Sequence, residues 1–481
     1  MTLRVSIRIH TDGSNDKEYL IPHHFFYFCA CMYLPRTVSF VTLGCKLNFS
    51  ETASISRNVE KHGYAVPLGA ASTDIAVINT CSVTENADKK CKKLVQEILK
   101  YSPETFIVII GCYAQLKPVE IAGIRGVDLV LGAQEKFKLA FHLDGLREKG
   151  QVKILNTPIS EVLEFQSSWS VSERTRSFLK IQDGCNYSCS FCTIPLARGM
   201  SRNDSIAGIM HNARLIADEG ISEIVLTGVN IGDFGHSTAE NLLQLMHKLD
   251  TLTGIKRVRI SSIEPNLLSE AIISFVATSR LFVPHFHIPL QSGSNKILAA
   301  MRRRYKKELY AGRIEYIKQI MPDCAIGVDV IIGFPGETEA DFTETYDFLK
   351  DLDICYLHIF TYSERDQTHA VTLGDKISPS VKQHRSAMLH ILSDKKKMAF
   401  YEKYIGLEMD VLLETDHKNG LMHGFTANYL KVSVPFDEKL MKCMVRVRLL
   451  ELDGEGAISG EIIKIYEIQD EIPVIEFQST L

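Results

Sequence analysis

Three apolar runs rich in β-branched side chains, TVSFVTLG, DIAVINT and FIVIIG, punctuate the first part of the chain. Between them lie two stretches with apolar positions at helical spacing, SETASISRNVEKHG and ADKKCKKLVQEILKYS. Continuous apolar runs alternating with helices predict a parallel sheet of the doubly wound kind. Near residue 175 a second series begins, with the strand candidates SFLKIQD, EIVLTGVN, RVRISSIEP, HFHIPLQS, AIGVDVIIGF and YLHIFTYS. Helical stretches such as SIAGIMHNARLIADEG, NLLQLMHKLDTL and TEADFTETYDFLKDL separate them. Six β/α units fall short of the eight in a closed barrel, so an open partial (β/α)6 barrel is expected, with its working face at the carboxyl ends of the strands. Residues 380–404 read as a basic helix. The short runs beyond it, broken by Gly406, Gly420, Gly424, Gly454 and Gly460, predict a small antiparallel β-barrel.

This pattern divides the chain into an extension (1–36), an amino-terminal α/β domain (37–150), a central core (171–400) and a terminal barrel (404–468). The extension contains IPHHFFYFCACMYLP, an apolar segment of signal-peptide length, but Asp16, Lys17 and Glu18 flank it and no small-residue cleavage pattern follows. It reads as a dispensable, disordered extension or as a start placed upstream of a real Met32, so Cys29 and Cys31 are not counted as ligands. Composition changes little: 481 residues with 45% hydrophobic and 23% charged side chains are ordinary for a globular protein. No apolar run approaches the roughly 20 residues that span a bilayer, so no membrane association is expected. A formal net charge of −4 gives no global basic footprint, and nucleic-acid binding would have to rest on local patches.

Cysteine does change the picture. Twelve cysteines in a chain of this size, several at strand ends and three in one tight group, favour metal ligation in a reducing cytoplasm over a disulfide framework. Each amino-terminal strand runs directly into one: Leu-Gly-Cys45, Asn-Thr-Cys81 and Gly-Cys112. Carboxyl ends of parallel strands share one edge, where ligands sit, so three thiols distant in sequence are expected to converge there on a metal centre. Buried core cysteines are common, which explains one such position well and three poorly; Cys91, inside a helix, is read as structural. The first strand of the second series leads into Gly-Cys185-Asn-Tyr-Ser-Cys189-Ser-Phe-Cys192. Three thiolates at this spacing suit a loop around a 4Fe–4S cubane, leaving one iron open for a substrate's amino and carboxylate groups. Structural zinc wants a fourth ligand that does not follow at suitable spacing, and a ferredoxin loop has a shorter first gap.

With that loop in that position, the chain resembles the radical S-adenosylmethionine superfamily. The resemblance implies reductive cleavage of S-adenosylmethionine to methionine and a 5′-deoxyadenosyl radical. It also implies a cofactor pocket at the strand ends: Thr227, Gly228 and Asn230 after the second strand, Ser262 and Glu264 in the SSIEP segment, Gln291 in LQSGS, and Gly333 and Gly336 in IIGFPGE. Glu264 by itself reads equally well as a salt-bridged structural carboxylate. GCKLN, NTC and GCYAQ extend the resemblance, over residues 37 to about 465, to the methylthiotransferase family within that superfamily. Its members hold a second 4Fe–4S cluster with the cysteines matching Cys45, Cys81 and Cys112. Family membership implies two S-adenosylmethionine molecules, one a methyl donor to cluster-bound sulfur and one the radical source, with no general base at the C–H step.

The terminal barrel then resembles the TRAM domain, an OB-like RNA-binding module. Gly424-Phe425-Thr426-Ala427-Asn428-Tyr429 resembles the GYTxNY signature of the threonylcarbamoyladenosine branch, and QDGCNYSCSFCTIPLARG also fits that branch. The implied activity is methylthio insertion at carbon 2 of N6-threonylcarbamoyladenosine, the adenosine after the anticodon (tRNA position 37). The implied partners are a tRNA anticodon stem-loop, an electron donor such as flavodoxin or ferredoxin, and a sulfur donor. From Lys403 onward, however, eight Lys and Arg face fourteen Asp and Glu, a poor match for phosphates. Basic candidates lie instead at Arg302, Arg303, Arg304, Lys306 and Lys307 and along 380–404. The acidic barrel keeps modification of a ribosomal-protein aspartate as an alternative, beside the isopentenyladenosine branch. Outside the family, the alternative is an iron–sulfur electron carrier or RNA-binding protein without turnover; an open iron argues against a pure carrier.

Overall fold

The computed structural model describes residues 7–8, 18–19, 36–67, 72–81, 85–145, 149–170, 175–236 and 238–466. Apart from a two-residue antiparallel pair, Ile7–Arg8 with Glu18–Tyr19, the expected extension and its candidate start at Met32 lie outside the described residues, as does the chain beyond 466. The amino-terminal sheet has five parallel strands in sequential order: β1 (Val38–Thr42), β2 (Ile75–Thr80), β3 (Phe106–Gly111), β4 (Val127–Leu131) and β5 (Lys153–Leu155). Both faces of β2, β3 and β4 are buried, because helices cover each side. α1 (Lys46–Lys61) packs Ile55 and Val59 on one face, and α2 (Glu85–Tyr101) packs Cys91 and Val95 on the other. This is the doubly wound arrangement expected, and Cys91 is a core residue.

Six parallel strands form the central core: β6 (Arg176–Lys180), β7 (Glu223–Thr227), β8 (Arg257–Ile260), β9 (His285–His287), β10 (Ala325–Ile332) and β11 (Tyr356–Thr361). They pair as two three-stranded sheets in sequence order, with no ladder between β8 and β9 but the bridge Val258–Phe282 and the Ile263 amide on the His287 carbonyl (3.0 Å), a partial barrel. Alternation sorts each strand. Leu179, Ile224, Leu226, Val258, Ile260, Phe286, Ile326, Val328 and Leu357 pack outward against helices, and the intervening positions face a central lumen. The helices start on side-chain caps: Ser205 accepts from the Gly208 amide, and Thr338 and Asn241 form reciprocal capping boxes.

A long helix, α3 (Pro379–Glu402), leads to a closed five-stranded barrel of β12 (Glu408–Lys418), β13 (Leu421–Thr426), β14 (Lys431–Pro435), β15 (Met444–Leu452) and β16 (Ile458–Ile465). Its pairings are antiparallel except β14 with β16, the one parallel pair that closes it. The GFTANY segment does not present itself to solvent as an RNA-reading loop. Arg257 donates to the carbonyls of Phe425 and Asp410 (2.9 and 2.8 Å), and Arg259 donates to that of Ala427 (3.1 Å). Tyr429, held at φ 70°, lies 4.5 Å from the His285 ring and 4.8 Å from Phe425, with Arg259 4.9 Å from its centroid. The segment plugs the lumen at the amino ends of the core strands, opposite the working face.

Candidate metal centres and the lumen between them

The strand ends of the amino-terminal sheet are fastened to one another. Thr80 Oγ1 donates to the Ile110 carbonyl (2.6 Å), tying the approach to Cys81 to that of Cys112. Asn48 of α1 donates to the Leu43 and Thr80 carbonyls (3.0 and 3.1 Å), bracketing the loops that carry Cys45 and Cys81, and Asn79 donates back to the Asn48 carbonyl (3.1 Å). Two glycines permit this closeness. A Cβ on Gly44 (φ +118°) would sit 2.6 Å from the Cβ of Cys81, and one on Gly111 (φ +101°) 2.4 Å from the Thr80 carbonyl oxygen. Burial pushes the Cys112 thiol up, and Arg198 and Lys136 oppose it. Cys45 and Cys112 both act on Arg198. The three cysteines expected to converge thus share one edge beside a buried guanidinium, suited to offsetting thiolate charge.

The second loop is built to hold three sulfurs. The Tyr187 and Ile194 amides donate to Sγ of Cys185 and Cys192, each at 3.4 Å, and Arg303 Nη1 donates to Sγ of Cys189 at 3.2 Å. Burial raises all three thiols, Cys185 to about 11 and Cys192 to about 12, so thiolates at this loop would call for a coordinated metal. Among the described residues no three His, Cys, Asp or Glu groups meet as ligands of a single ion. A cubane, whose thiolates each bind a different iron, does not ask for that. The loop therefore fits a cluster, and donors to all three sulfurs are the kind of contact that tunes one.

The pocket residues implied by resemblance surround this loop. Thr227 is buried at the end of β7; the Val229 and Asn230 amides both donate to Gln182 Oε1 (3.0 and 2.8 Å). A Cβ on Gly228 would meet that same Gln182 oxygen at 3.0 Å. Asn230 is 4% exposed, yet neither atom of its amide has a hydrogen-bond partner, and Gln291 Oε1, on a residue at φ 69°, is likewise buried and unpartnered. Buried amides without partners at strand ends suit a polar ligand. Glu264 pairs with Arg303, which joins it to the Cys189 sulfur. Ser262 is half-buried after β8. Gly333 and Gly336 (φ +70° and +81°) shape a turn whose Phe334 packs on Phe191 of the cysteine loop, 6.4 Å between centroids. The Gly333 turn is braced by Glu337, which accepts from the Gly333 and Phe334 amides and pairs with Arg385 (3.4 Å).

Two basic patches lose members to these contacts. Arg303 is consumed by Glu264 and Cys189, Arg304 stacks on Tyr187 (3.9 Å), and Lys307 pairs with Glu344 (2.6 Å); Arg302, Arg304 and Lys306 remain exposed. On α3, Arg385 is buried on Glu337 and Glu339, and Lys396 caps the carbonyls of Lys350 and Leu352. Lysines 395 and 403 stay open. The sequence-level charge count overstated what phosphates can meet.

Between the two centres lies an ionic hub absent from the sequence expectations. Glu51 of α1 accepts Lys136 (2.6 Å), Lys180 and Arg198 (both 3.0 Å). Asp183 accepts Lys180 (2.7 Å), Arg198 (3.0 Å) and Arg202 (3.2 Å), and Arg198 also reaches Asn48 Oδ1 (2.7 Å). Burial works against both carboxylates, but the cations hold Glu51 and Asp183 well below the usual range. In the lumen, Glu223 pairs with Arg259 (3.0 Å), which with Arg176 overcomes burial and holds its carboxyl at about 2. His287 bonds Asp329 (2.8 Å) and stacks on His358, 5.1 Å apart. Burial and two arginines lower Lys46, the residue after Cys45, to about 8, although its side chain is open to solvent.

A family model described as the Radical SAM superfamily matches residues 179–349, and one described as Uncharacterized protein family UPF0004 matches 37–132. A threonylcarbamoyladenosine tRNA methylthiotransferase MtaB of Bacillus subtilis is 38% identical, covering 91% of this chain and 98% of the relative. A protein of the same name from Aquifex aeolicus is 37% identical, covering 82% and 96%. A tRNA-2-methylthio-N(6)-dimethylallyladenosine synthase of Syntrophus aciditrophicus is 32% identical, covering 79% and 84%. Among solved structures, the radical S-adenosylmethionine methyltransferase TsrM of Kitasatospora setae, with tryptophan and a S-adenosylmethionine analogue bound, superposes with a TM-score of 0.51 at 15% identity. It covers 68% of this chain and 73% of that one, a likeness of fold.

Proposed function

Because the chain belongs to the radical S-adenosylmethionine methylthiotransferase family, with relatives of the MtaB type along most of its length, we propose that it inserts a methylthio group at carbon 2 of N6-threonylcarbamoyladenosine beside the tRNA anticodon. On this reading Cys185, Cys189 and Cys192 hold the cluster that binds S-adenosylmethionine, and Cys45, Cys81 and Cys112 hold a second. When bound, the first supplies the electron for reductive cleavage and the second carries the sulfur. The observation that carries the reading is the pair of cysteine edges held together by one buried hub around Arg198. Cysteine triads on two adjoining strand edges would hold the two clusters whose chemistry, radical generation and sulfur supply, insertion into an unreactive C–H bond calls for.

This chain's own residues do the positioning. Arg303 donates to the Cys189 sulfur and holds Glu264 at the rim, so both are placed before a ligand arrives. Asn230 and Gln291 offer unpartnered amide atoms to the polar parts of S-adenosylmethionine. Gln182 fixes the backbone on which Asn230 rides. Arg302, Arg304 and Lys306, exposed beside the cysteine loop, are the groups for anticodon-stem phosphates; single contacts of this kind should each lower the salt slope of RNA binding by about one. An electron donor and a sulfur donor complete the reaction as separate partners.

Nucleoside mass spectrometry of tRNA from cells lacking the protein tests the reading. The methylthio form of threonylcarbamoyladenosine should vanish and its unmethylthiolated precursor accumulate. Loss of methylthio-isopentenyladenosine instead would move the chain to the branch of its dimethylallyladenosine relatives. An unchanged tRNA profile would favour the ribosomal aspartate, the reading suited to an acidic terminal barrel.

A further inference from the structure

The amino-terminal domain meets the core at a second place, on the face of its sheet opposite the hub. α1 supplies Asn48 and Glu51 to the hub, whereas α2 covers the other face. In the first turn of α2, shortly after Cys81, Asp88 meets Arg365 of the segment that follows β11. Arg365 Nη1 donates to Asp88 Oδ2 at 2.9 Å and Nη2 to Oδ1 at 3.3 Å, a two-pronged grip between residues each only 7% exposed. The next residue, Asp366, pairs with Lys117 (2.8 Å). Lys117 also reaches Glu120 (3.5 Å), which accepts from the hydroxyl of Tyr113 (2.8 Å), the residue after Cys112. These outer pairs are open to solvent and add little; the buried grip is the specific one.

The same segment is fastened to the other cysteine loop. Thr368 donates through its amide and its hydroxyl to the Arg365 carbonyl (3.2 and 2.7 Å), closing a turn in which Gln367 has φ 67°. Two residues on, the Ala370 amide donates to the carbonyl of Ser190 (2.7 Å), which lies between Cys189 and Cys192. Ser190 is itself fixed by the Ala300 and Met301 carbonyls (2.8 and 3.1 Å), and Ala370 packs with Phe334 and Tyr362 against Phe191. A buried Arg–carboxylate fork adds little net stability over an apolar filling, but it accepts one geometry. One attachment leaves a domain free to rotate about it; attachments on opposite faces fix its orientation.

Resting on the reading above, we propose that Arg365 is a positioning residue: by gripping Asp88 it sets the Cys45, Cys81 and Cys112 edge in register with the Cys185, Cys189 and Cys192 loop. Making the radical needs only the second loop, whereas inserting sulfur needs both centres at one substrate atom. Loosening the grip therefore separates two products of a single reaction. A misplacement of about 1 Å can cost such a step roughly a hundredfold.

The test uses holoenzyme with both clusters reconstituted, as wild type, Arg365→Met, Arg365→Lys and the exchanged pair Asp88→Arg with Arg365→Asp. The RNA is an anticodon stem-loop bearing threonylcarbamoyladenosine. Arg365→Met should keep 5′-deoxyadenosine formation within about twofold, while methylthio product per 5′-deoxyadenosine falls by about tenfold or more. Arg365→Lys, which keeps the charge without the fork, should lie between, and the exchanged pair should regain part of the ratio. Pulsed dipolar spectroscopy of the two reduced clusters reads position without turnover: one narrow distance in the wild type, a broadened one in Arg365→Met at equal iron content. Should Arg365→Met not fold, Arg365→Lys serves for both measurements. An unchanged product ratio, an unchanged distance distribution, or equal loss of both products overturns the assignment. A wild type that makes 5′-deoxyadenosine but no methylthio product fails at the functional reading, and the cluster distance then still decides Arg365. A wild type that holds a single cluster overturns both.

Discussion

Cys189→Ala is expected to abolish reductive cleavage of S-adenosylmethionine, with 5′-deoxyadenosine per chain falling by about a thousandfold or more, roughly 4 kcal/mol of transition-state stabilisation. Cys81→Ala should keep cleavage within a few-fold of wild type and end methylthio product. The contrast follows from where the sulfurs sit. Cys189 accepts a hydrogen bond from Arg303, which also holds Glu264, so its loss removes one of the loop's three sulfurs and leaves a buried guanidinium facing a gap. Cys81 stands across the hub, against Gly44 and the Cys45 loop, in the other edge of cysteines. Chromatography with mass detection reads both products from one reaction. A Cys81→Ala enzyme that still made methylthio product would sink the two-centre assignment; equal loss of cleavage in both variants would mean that the two triads serve one centre.

The second large effect concerns Glu51. Its carboxylate is the shared counter-ion of Lys136 from the amino-terminal domain and Lys180 and Arg198 from the core, all buried. Removing one partner from such a group strands the rest, at a cost of about 3–5 kcal/mol. Glu51→Ala should therefore lower the urea midpoint for loss of the docked amino-terminal domain, with Glu51→Gln intermediate because it keeps hydrogen bonding without the charge. Acid provides an independent check. The folded state depresses Glu51 and Asp183 below their unfolded values, so their contribution is present above the ordinary carboxylate pKa and is lost as pH falls through the folded ones. Wild-type stability should thus drop steeply below about pH 4.5, and that dependence should flatten in Glu51→Gln. A Glu51→Ala protein that unfolds like wild type would remove the hub from any structural role.

Much of the architecture was legible because it depends on local pattern. The three amino-terminal strands and the six of the core fall where β-branched runs were read, since strands buried on both faces cannot alternate. Two further strands of the first sheet, β4 and β5, escaped notice. VDLVL and KIL are short, and KIL is a partly exposed edge whose composition carries little signal. The cysteine loop was legible for a different reason: spacing of four and three residues fixes which sulfurs can meet. Glu51, Asn48 and Arg198 lie beside the cysteine motifs, but nothing in a single sequence marks a charged residue as the partner of another more than a hundred positions away.

The class of chemistry is written in the chain itself, because thiolate spacing after the first strand of a β/α series is a local property, and the parallel character of both sheets follows from local hydrophobicity. How the two cysteine edges are joined emerges on folding, since a buried ion hub forms from residues 48 to 202 through long-range Coulomb pairing. Folding also decided that Tyr429 plugs a lumen instead of meeting solvent and that Arg303 serves a sulfur and not a phosphate. Charge counts along a chain carry a sign, but which charges are neutralised depends on distances that only folding sets.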